Sequence, residues 1–304
     1  MTVLKLALPK GHLWDNVENL LNRAGYGLTV GGERSYMVKS NDPELQIRVH
    51  RAQNICPLVE GGKYDLGITG HDWVIEHKSN VDELMDLGLR RVNVVVAIPQ
   101  RRGCKQISKR GVFKELAEKV KEEGRERIIV ASEYENLTRD LCKTKLNQLP
   151  YTFIRSYGAT ETFIEVADLI VDCTETGDTL RANGWEIAYT LFDSTARIIA
   201  NKKSLRDSWK KDKIKDFLTL VRGAKDAEGL KLLKMNVSGK MLNKVTSVLP
   251  AMKSPTISKL HGVKKPDYGV EVAVKEDQLL KLIPLLKKNG ATDILEIDIK
   301  KVIK

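Results

Sequence analysis

Apolar positions along the first half of the chain fall into short runs separated by glycine, proline and charge. Leu4 to Leu8 reads as a strand, broken by Pro9-Lys10-Gly11. Leu13, Val17, Leu20, Leu21 and Ala24 then recur at helical spacing up to Gly25. Leu45 to Val49 alternates as a strand, Ile55, Leu58 and Val59 predict a helix stopped at Gly61-Gly62, and Tyr64 to Gly70 is a buried strand with a glycine exit. The β-branched run Val92 to Ile98 predicts a strand. Helices follow at Phe113–Val120 and at Leu137, Leu141 and Leu146, with strands at Ile128–Ala131 and Tyr151–Ile154. A helix from Glu161 to Val166, a strand from Leu169 to Val171, a loop from Thr174 to Thr179 and another helix complete the stretch. Alternating strands and helices predict an α/β fold with a largely parallel sheet.

The pattern changes twice. Pro99 to Gly111 is basic and loop-like, and Ser204 to Leu232 reads as one long charged helix. Beyond it, strands near Leu232–Val237, Thr256–Leu260, Val270–Val274 and Ile294–Ile297 interleave with helices at Met241–Val248 and Leu279–Lys288. That order, β-α-β-β-α-β, is a ferredoxin-like unit of the size of small regulatory domains. No repeat or low-complexity segment interrupts it.

Composition narrows the function. With 304 residues, two or three domains are expected. The net charge of +11 raises polyanions or phosphorylated small molecules as partners. From Lys225 to Lys304, however, 16 lysines stand against nine acids, so +7 of the excess sits in the tail. Basic stripes with interleaved aromatics are missing, which argues against nucleic acid. No run of about 18 apolar residues predicts a membrane span. No signal peptide is expected at the start, and Cys56, Cys104, Cys142 and Cys173 are too scattered for a disulfide framework or zinc site, which together point to the reducing cytosol.

The chemistry concentrates in Leu169-Ile-Val-Asp172-Cys-Thr174-Glu175-Thr176-Gly177-Asp178-Thr179-Leu180. An apolar strand ends in an acid, and a small polar loop leads into a helix. Such a loop aims backbone N–H groups outward, adds the hydroxyls of Thr174, Thr176 and Thr179, and lets a ligand approach at Gly177. It reads as a monophosphate cradle, with Asp172 placed to accept from a sugar cis-diol; the alternative is a capping run with no ligand. Asp168 lies roughly 13 Å back along the strand, out of reach of that role. Neither a P-loop nor a G-x-G-x-x-G is present.

Residues 166–184, Val-Ala-Asp-Leu-Ile-Val-Asp-Cys-Thr-Glu-Thr-Gly-Asp-Thr-Leu-Arg-Ala-Asn-Gly, resemble the phosphoribosyl-diphosphate (PRPP) loop of the ATP phosphoribosyltransferases, which open histidine biosynthesis. Leu8-Pro-Lys-Gly-His-Leu13, Arg51-Ala-Gln-Asn-Ile55 and Asp65-Leu-Gly-Ile-Thr-Gly-His-Asp72 resemble other segments of that family, as do Leu249–Thr256 and Gly290–Glu296 in its C-terminal domain. His12 stands where the family usually has Arg, and Asn54 where it has Asp.

The resemblance implies two catalytic lobes like a periplasmic binding protein, residues 1–92 with 182–224 and residues 93–181, and a ferredoxin-like (ACT-like) regulatory domain at 225–304. It implies an Mg²⁺-dependent transfer in which adenine N1 of ATP attacks C1 of PRPP and pyrophosphate leaves. PRPP would be held by Asp172, Thr174, Glu175, Thr176, Gly177, Asp178 and Thr179 with Glu161, which could equally be an acid at a helix start. ATP would be held by Lys10, Gly11 and Arg51, with Lys10 and Arg51 serving catalysis. Lys10 is otherwise a solvated loop lysine, and Arg51 the partner of an acid. Asn236, Met252, Ser254 and Thr256 fall in the region of the family's histidine pocket, or Ser254 and Thr256 belong to a turn fixed by Pro255. Asp72 is read as a helix N-cap. Histidine, with AMP as a second candidate, is the implied inhibitor, and a homo-oligomer of dimers forming hexamers the implied assembly.

Overall fold

The computed structural model describes residues 2–32, 36–100, 111–145, 150–250, 254–261 and 266–304. The chain begins β1 (Leu4–Lys10), α1 (Trp14–Arg23), β2 (Thr29–Val30), β3 (Met37–Lys39), β4 (Leu45–Arg51), α2 (Ala52–Glu60), β5 (Leu66–Gly70), α3 (His71–His77) and β6 (Asp82–Asp86). It continues β7 (Val92–Pro99), α4 (Val112–Glu122), β8 (Ile128–Ser132), α5 (Glu135–Lys145), β9 (Tyr151–Arg155), β10 (Leu169–Thr174), α6 (Asp178–Ala182), β11 (Trp185–Ser194), β12 (Ala196–Ala200) and α7 (Ser208–Asp226). The last stretch is β13 (Leu230–Ser238), α8 (Leu242–Ser247), β14 (Thr256–Lys259), β15 (Asp267–Lys275), α9 (Leu279–Lys288) and β16 (Ala291–Asp298). Two compact units result: Met1–Asn19 with Gly27–Ile214, and Leu20–Tyr26 with Lys215–Lys304.

The first unit is built on two sheets, ordered β2-β3-β4-β1-β5-β12-β6 and β11-β7-β10-β8-β9. In the first, β1 runs parallel to β4 and β5, while β12 is antiparallel to β5 and β6. In the second, β8 is parallel to β9 and β10, and β7 is antiparallel to β10 and β11. The sheets are therefore mixed: the parallel strands β4, β1 and β5 lie at the centre of the first, and the parallel strands β10, β8 and β9 reach one edge of the second. Central strands read as unbroken apolar runs because both faces are covered: Val94 and Val96 of β7 pack with α4 and α5 residues such as Leu116 and Leu141, whereas Val95 and Ala97 pack with Leu180 and Trp185. Gly67 in β5 lets α2 lie close, since a Cβ there would stand 2.5 Å from Ile55 Cγ2.

The chain leaves the first sheet after β6 and returns through the short step from β11 to β12, the two-crossing layout of periplasmic-binding-protein-like folds. Because β11 pairs with β7 from Trp185↔Pro99 to Ser194↔Val92, residues 185–194 belong with the second sheet rather than with the first lobe as expected. Two register shifts within β11 break its alternation, which hides the strand in the sequence. The long helix expected from 204 to 232 is shorter. A 3₁₀ turn at Ser204–Arg206 precedes α7, which ends at Asp226, and Gly229 at φ +68° turns the chain into β13. The helix expected at Glu161–Val166 is a 3₁₀ turn, Thr160–Glu165.

In the second unit β13 to β16 form an antiparallel sheet ordered β14-β15-β13-β16 with α8 and α9 between strands, the expected ferredoxin-like arrangement. Leu233, Met235 and Val237 share its core with Val270, Val272, Val274, Leu282 and Leu286.

Candidate functional site

Parallel strands bring residues to a shared edge at their C-terminal ends, where open α/β sheets take ligands. In the first sheet the register aligns Lys10 with Arg51, so the two expected cations end neighbouring strands, and both are exposed. Gly11 follows at φ +87°, and His12 is exposed. The Lys10 ammonium also sits 5.1 Å from the ring centroid of Tyr36, an exposed aromatic that sequence reasoning passed over.

In the second sheet β10 delivers Asp172 and the loop through Thr179 into α6. The loop is braced from within. Gly177 N–H donates to Thr174 Oγ1 (2.9 Å), Thr176 Oγ1 donates to Asp178 (2.6 Å), and Arg181 donates to Thr176 O (2.8 Å) and Asp178 (2.7 Å). Gly177 is buried at φ +81°. Glu175 pairs with Arg90 at 2.8 Å. Asn183, the C-cap of the short helix, donates its side-chain amide to the Thr179 carbonyl (2.9 Å). Glu161 is half-buried, and its carbonyl accepts from Trp185 Nε1 at 2.7 Å, which fixes the turn that carries it.

Burial pushes the Asp172 carboxyl up to about 7; the Cys173 N–H opposes this, and the negative charges of Glu161 and Glu133 add to it. Glu133 was not foreseen. Ser132 pairs with Val171, so Glu133 and Asp172 are the next residues along two neighbouring parallel strands. Burial also raises the Glu133 carboxyl, against the pull of Arg51 and Arg155. Glu133 thus interacts electrostatically with Arg51 of the first sheet and Asp172 of the second. An acid directly after a β-branched strand was the available signal, the same one that singled out Asp172.

Two other acids have structural work. Asp168 takes a bidentate pair from Arg125 (2.5 and 2.7 Å) and the N–H of Ile129 (2.9 Å), in keeping with its exclusion from the site. Asp72 is not an N-cap: Gly70 holds that position, and Asp72 lies buried in the first turn of α3. It accepts from Ser194 Oγ (2.6 Å) and Tyr134 OH (2.7 Å), and Glu76 on the same helix accepts from the N–H groups of Asn136 and Leu137 (2.9 Å each). These bonds join the two sheets of the unit beside the strand ends.

In the second unit Asn236 donates to Asp293 at 2.9 Å. Thr256 pairs with Glu271, which pairs with Lys234, so Thr256 and Asn236 share the sheet face opposite the core, roughly 12 Å apart. Ser254 is exposed just before β14. Met252, like Cys104, lies outside the described residues; Cys56, Cys142 and Cys173 are free thiols. No helix among the described residues is long and apolar enough to cross a membrane.

Comparison with known proteins accounts for both units. A family model described as ATP phosphoribosyltransferase matches residues 51–223, and one described as HisG, C-terminal domain, matches residues 227–301. An ATP phosphoribosyltransferase of Chlorobium phaeovibrioides is 39% identical over 307 residues, covering 99% of this chain and 98% of that protein. One from Pelotomaculum thermopropionicum is 37% identical over 306 residues, 99% of each. The fold resembles a chain of the ATP phosphoribosyl transferase (HisG:HisZ) complex from Thermotoga maritima, with a TM-score of 0.58 at 24% identity over 72% of this chain and 97% of that one. A match this continuous, reaching from the strand-end cations through the acid-and-threonine loop to the C-terminal domain, shows that the chain belongs to the long form of the ATP phosphoribosyltransferase family, which carries out the first step of histidine biosynthesis.

Proposed function

We propose that the site joins ATP to PRPP directly. Adenine N1, already a lone-pair nucleophile, forms the bond to ribose C1 as the C1–O bond to pyrophosphate breaks, giving phosphoribosyl-ATP and pyrophosphate. What supports this reading is the joint beside the strand ends: Asp72, after the first sheet's β5, accepts from Tyr134 OH (2.7 Å) and Ser194 Oγ (2.6 Å) of the second sheet's side, and Glu133, next to Tyr134, feels the charges of both Arg51 and Asp172. Lys10, Gly11 and Arg51 receive the polyphosphate of ATP, and Lys10 and Arg51 offset charge on the departing pyrophosphate. Residues Thr174 to Thr179 hold the 5′-phosphate, Asp172 accepts from the ribose hydroxyls, and Glu161 adds a polar contact to the sugar. No side-chain nucleophile is required.

Mg²⁺ belongs to this reading. Asp172, Glu161 and Glu133 offer the oxygen donors a hard cation takes; Asp172 is raised mainly by burial, with the charges of Glu161 and Glu133 adding to it. A cation held there would be shared between one or two of these carboxylates, substrate phosphates and water. When bound it supplies positive charge to the diphosphate.

The assay mixes the protein with ATP, PRPP and Mg²⁺ and follows the absorbance of phosphoribosyl-ATP. Absence of product alongside intact PRPP binding overturns the enzymatic reading in favour of a binding protein. A second expectation concerns pH. Ionised, Asp172 accepts from the ribose hydroxyls through both oxygens and with charge-assisted strength, whereas the neutral acid spends one oxygen as a donor, so kcat/KM for PRPP should climb as pH rises through about 7. Asp172→Asn should lower kcat/KM and remove that limb; a limb that survives unchanged assigns it to another group.

The second unit is the regulatory half of the proposal. Asn236, Ser254 and Thr256, with Met252, bind histidine, and AMP is a second candidate inhibitor. The protein works as a cytoplasmic homo-oligomer, dimers assembling to hexamers. Histidine titrated into the PRPP-dependent reaction should suppress it, and Asn236→Ala should raise the midpoint about tenfold for a lost hydrogen bond to a charged ligand. An unmoved midpoint places the histidine site elsewhere.

A further inference from the structure

The segment from Leu87 to Arg91, which carries the chain from the first sheet to the second, is tightly held. Leu87 N–H donates to Ala196 O (2.9 Å) and Ala196 N–H to Leu89 O (3.0 Å), zipping it to the returning strand. Asp86 accepts from Gly88 N–H (2.8 Å) and Thr195 Oγ1 (2.7 Å), and Arg91 donates to Asp193 (3.1 Å). Within this zipped crossing Arg90 adopts φ +49°, a left-handed conformation that a residue with a Cβ adopts at a cost. Such an outlier persists where the surroundings over-determine it, and it clusters at functional places. What Arg90 gains is Glu175: its Nη1 lies 2.8 Å from Glu175 Oε1.

Glu175 sits inside the Thr174–Thr179 loop. The other contacts bracing that loop, from Gly177, Thr176 and Arg181, are local. Arg90 comes from 85 positions earlier in the chain, on the crossing between the sheets. We propose that Arg90 is a positioning residue for the phosphoribosyl loop, anchoring Glu175 to the inter-sheet crossing and cancelling its negative charge beside the phosphate it would otherwise repel. This rests on the reading of that loop as the PRPP site. Two consequences separate the roles. Removing Arg90 frees the loop and also leaves a bare carboxylate next to an anion. Removing the Glu175 charge frees the loop without creating that repulsion.

Initial rates with Arg90→Gln, Glu175→Gln and the double variant test this, with KM measured separately for PRPP and ATP. We expect Arg90→Gln to raise KM for PRPP about tenfold and Glu175→Gln about threefold, with the double variant close to Glu175→Gln, because residues in contact are not additive. KM for ATP should stay within about twofold in all three, since a loop anchor acts on one substrate. The exchanged pair, Arg90→Glu with Glu175→Arg, should recover most of what Arg90→Glu alone loses. If Glu175→Gln behaves as wild type while Arg90→Gln and the double variant lose equally, Arg90 touches the ligand itself and the anchor is overturned. Equal rises in both KM values, or none, overturn it too. Calorimetry of PRPP with the unaltered protein keeps the two levels apart: no binding there refutes the loop as PRPP site, whereas binding that Arg90→Gln leaves intact refutes only the anchor.

Discussion

Replacing Gly177 with valine should raise the PRPP concentration for half-maximal rate by at least about a hundredfold, roughly 2.7 kcal/mol of lost interaction. Gly177 holds φ +81°, where a β-branched residue is a severe outlier. Space is lacking as well as torsional freedom. A Cβ at this position would stand 2.7 Å from Arg181 Nη1 and 2.8 Å from Ile187 Cδ1. The arginine tip can move, but it braces Thr176 O and Asp178, so moving it loosens the loop. Ile187 belongs to β11 and packs into the second sheet's core, so it yields less readily. Strain of about 1–3 kcal/mol from the backbone alone falls on the segment proposed to hold the 5′-phosphate. Alanine at the same place tests the split between torsion and volume, and should lose less. Initial-rate kinetics at saturating ATP read the effect, while histidine binding by calorimetry shows that the second unit is undisturbed. Unchanged PRPP kinetics in Gly177→Val would remove the loop from the PRPP site.

The loop was legible because everything that defines it is local. A strand, an acid, three threonines and a glycine follow one another within a dozen residues; the strands that lead to Lys10 and Arg51 are patterned too, but the parallel pairing that sets the two cations side by side is a property of the assembled sheet. Residues whose meaning depends on distant partners were not legible. Asp72 follows a glycine at a helix start, and its neighbours alone suggest a cap. Its actual partners, Tyr134 and Ser194, lie 62 and 122 positions away. The strand β6, Asp-Glu-Leu-Met-Asp, has little intrinsic strand preference and exists because β12 pairs with it. β11 was hidden by its own bulges. Arg90 carries no sequence mark at all; it stands out only through its backbone torsion and its reach to Glu175. Glu133 is the intermediate case: it carries the same strand-end signal as Asp172 but no threonine-and-glycine loop behind it. The charge excess also changes meaning. The tail's +7 lies apart from the strand-end cations and the loop of the first unit, and some of its lysines are held by acids, Lys231 by Asp298 and Glu276 and Lys234 by Glu271.

Asp65→Ala should be the most destabilising single change in the first unit's polar interior. Asp65 is 4% exposed and receives three donors: Lys5 N–H (2.8 Å), Ser204 Oγ (2.6 Å) and Lys210 Nζ (2.7 Å). One carboxylate thereby ties the start of β1, the approach to β5, the 3₁₀ turn after β12 and the first turn of α7. Alanine leaves the hydroxyl and the amide without an acceptor and a half-buried ammonium without its counter-charge. Breaking a buried pair by removing one partner costs about 3–5 kcal/mol. For a unit of this size that is a drop of roughly 10 °C in the unfolding midpoint. All four tryptophans, Trp14, Trp73, Trp185 and Trp209, lie in this unit, so their fluorescence follows its unfolding. The pH dependence supplies an independent check. Burial pushes the Asp65 carboxyl up, but Lys210, the Lys5 amide and Ser204 together outweigh it and hold the group below its ordinary 3.8. A depressed carboxyl stabilises the fold above its unfolded value and loses that contribution as pH falls through the folded one. The gap between the unaltered protein and Asp65→Ala should therefore be full at neutral pH and narrow progressively below about 3.8. A gap under about 1 kcal/mol at pH 7, the level of an exposed ion pair, would mean that Lys210 is held by solvent rather than by Asp65. A gap that persists undiminished well below the ordinary carboxyl range would mean that packing, and not the carboxylate's charge, holds these four segments together.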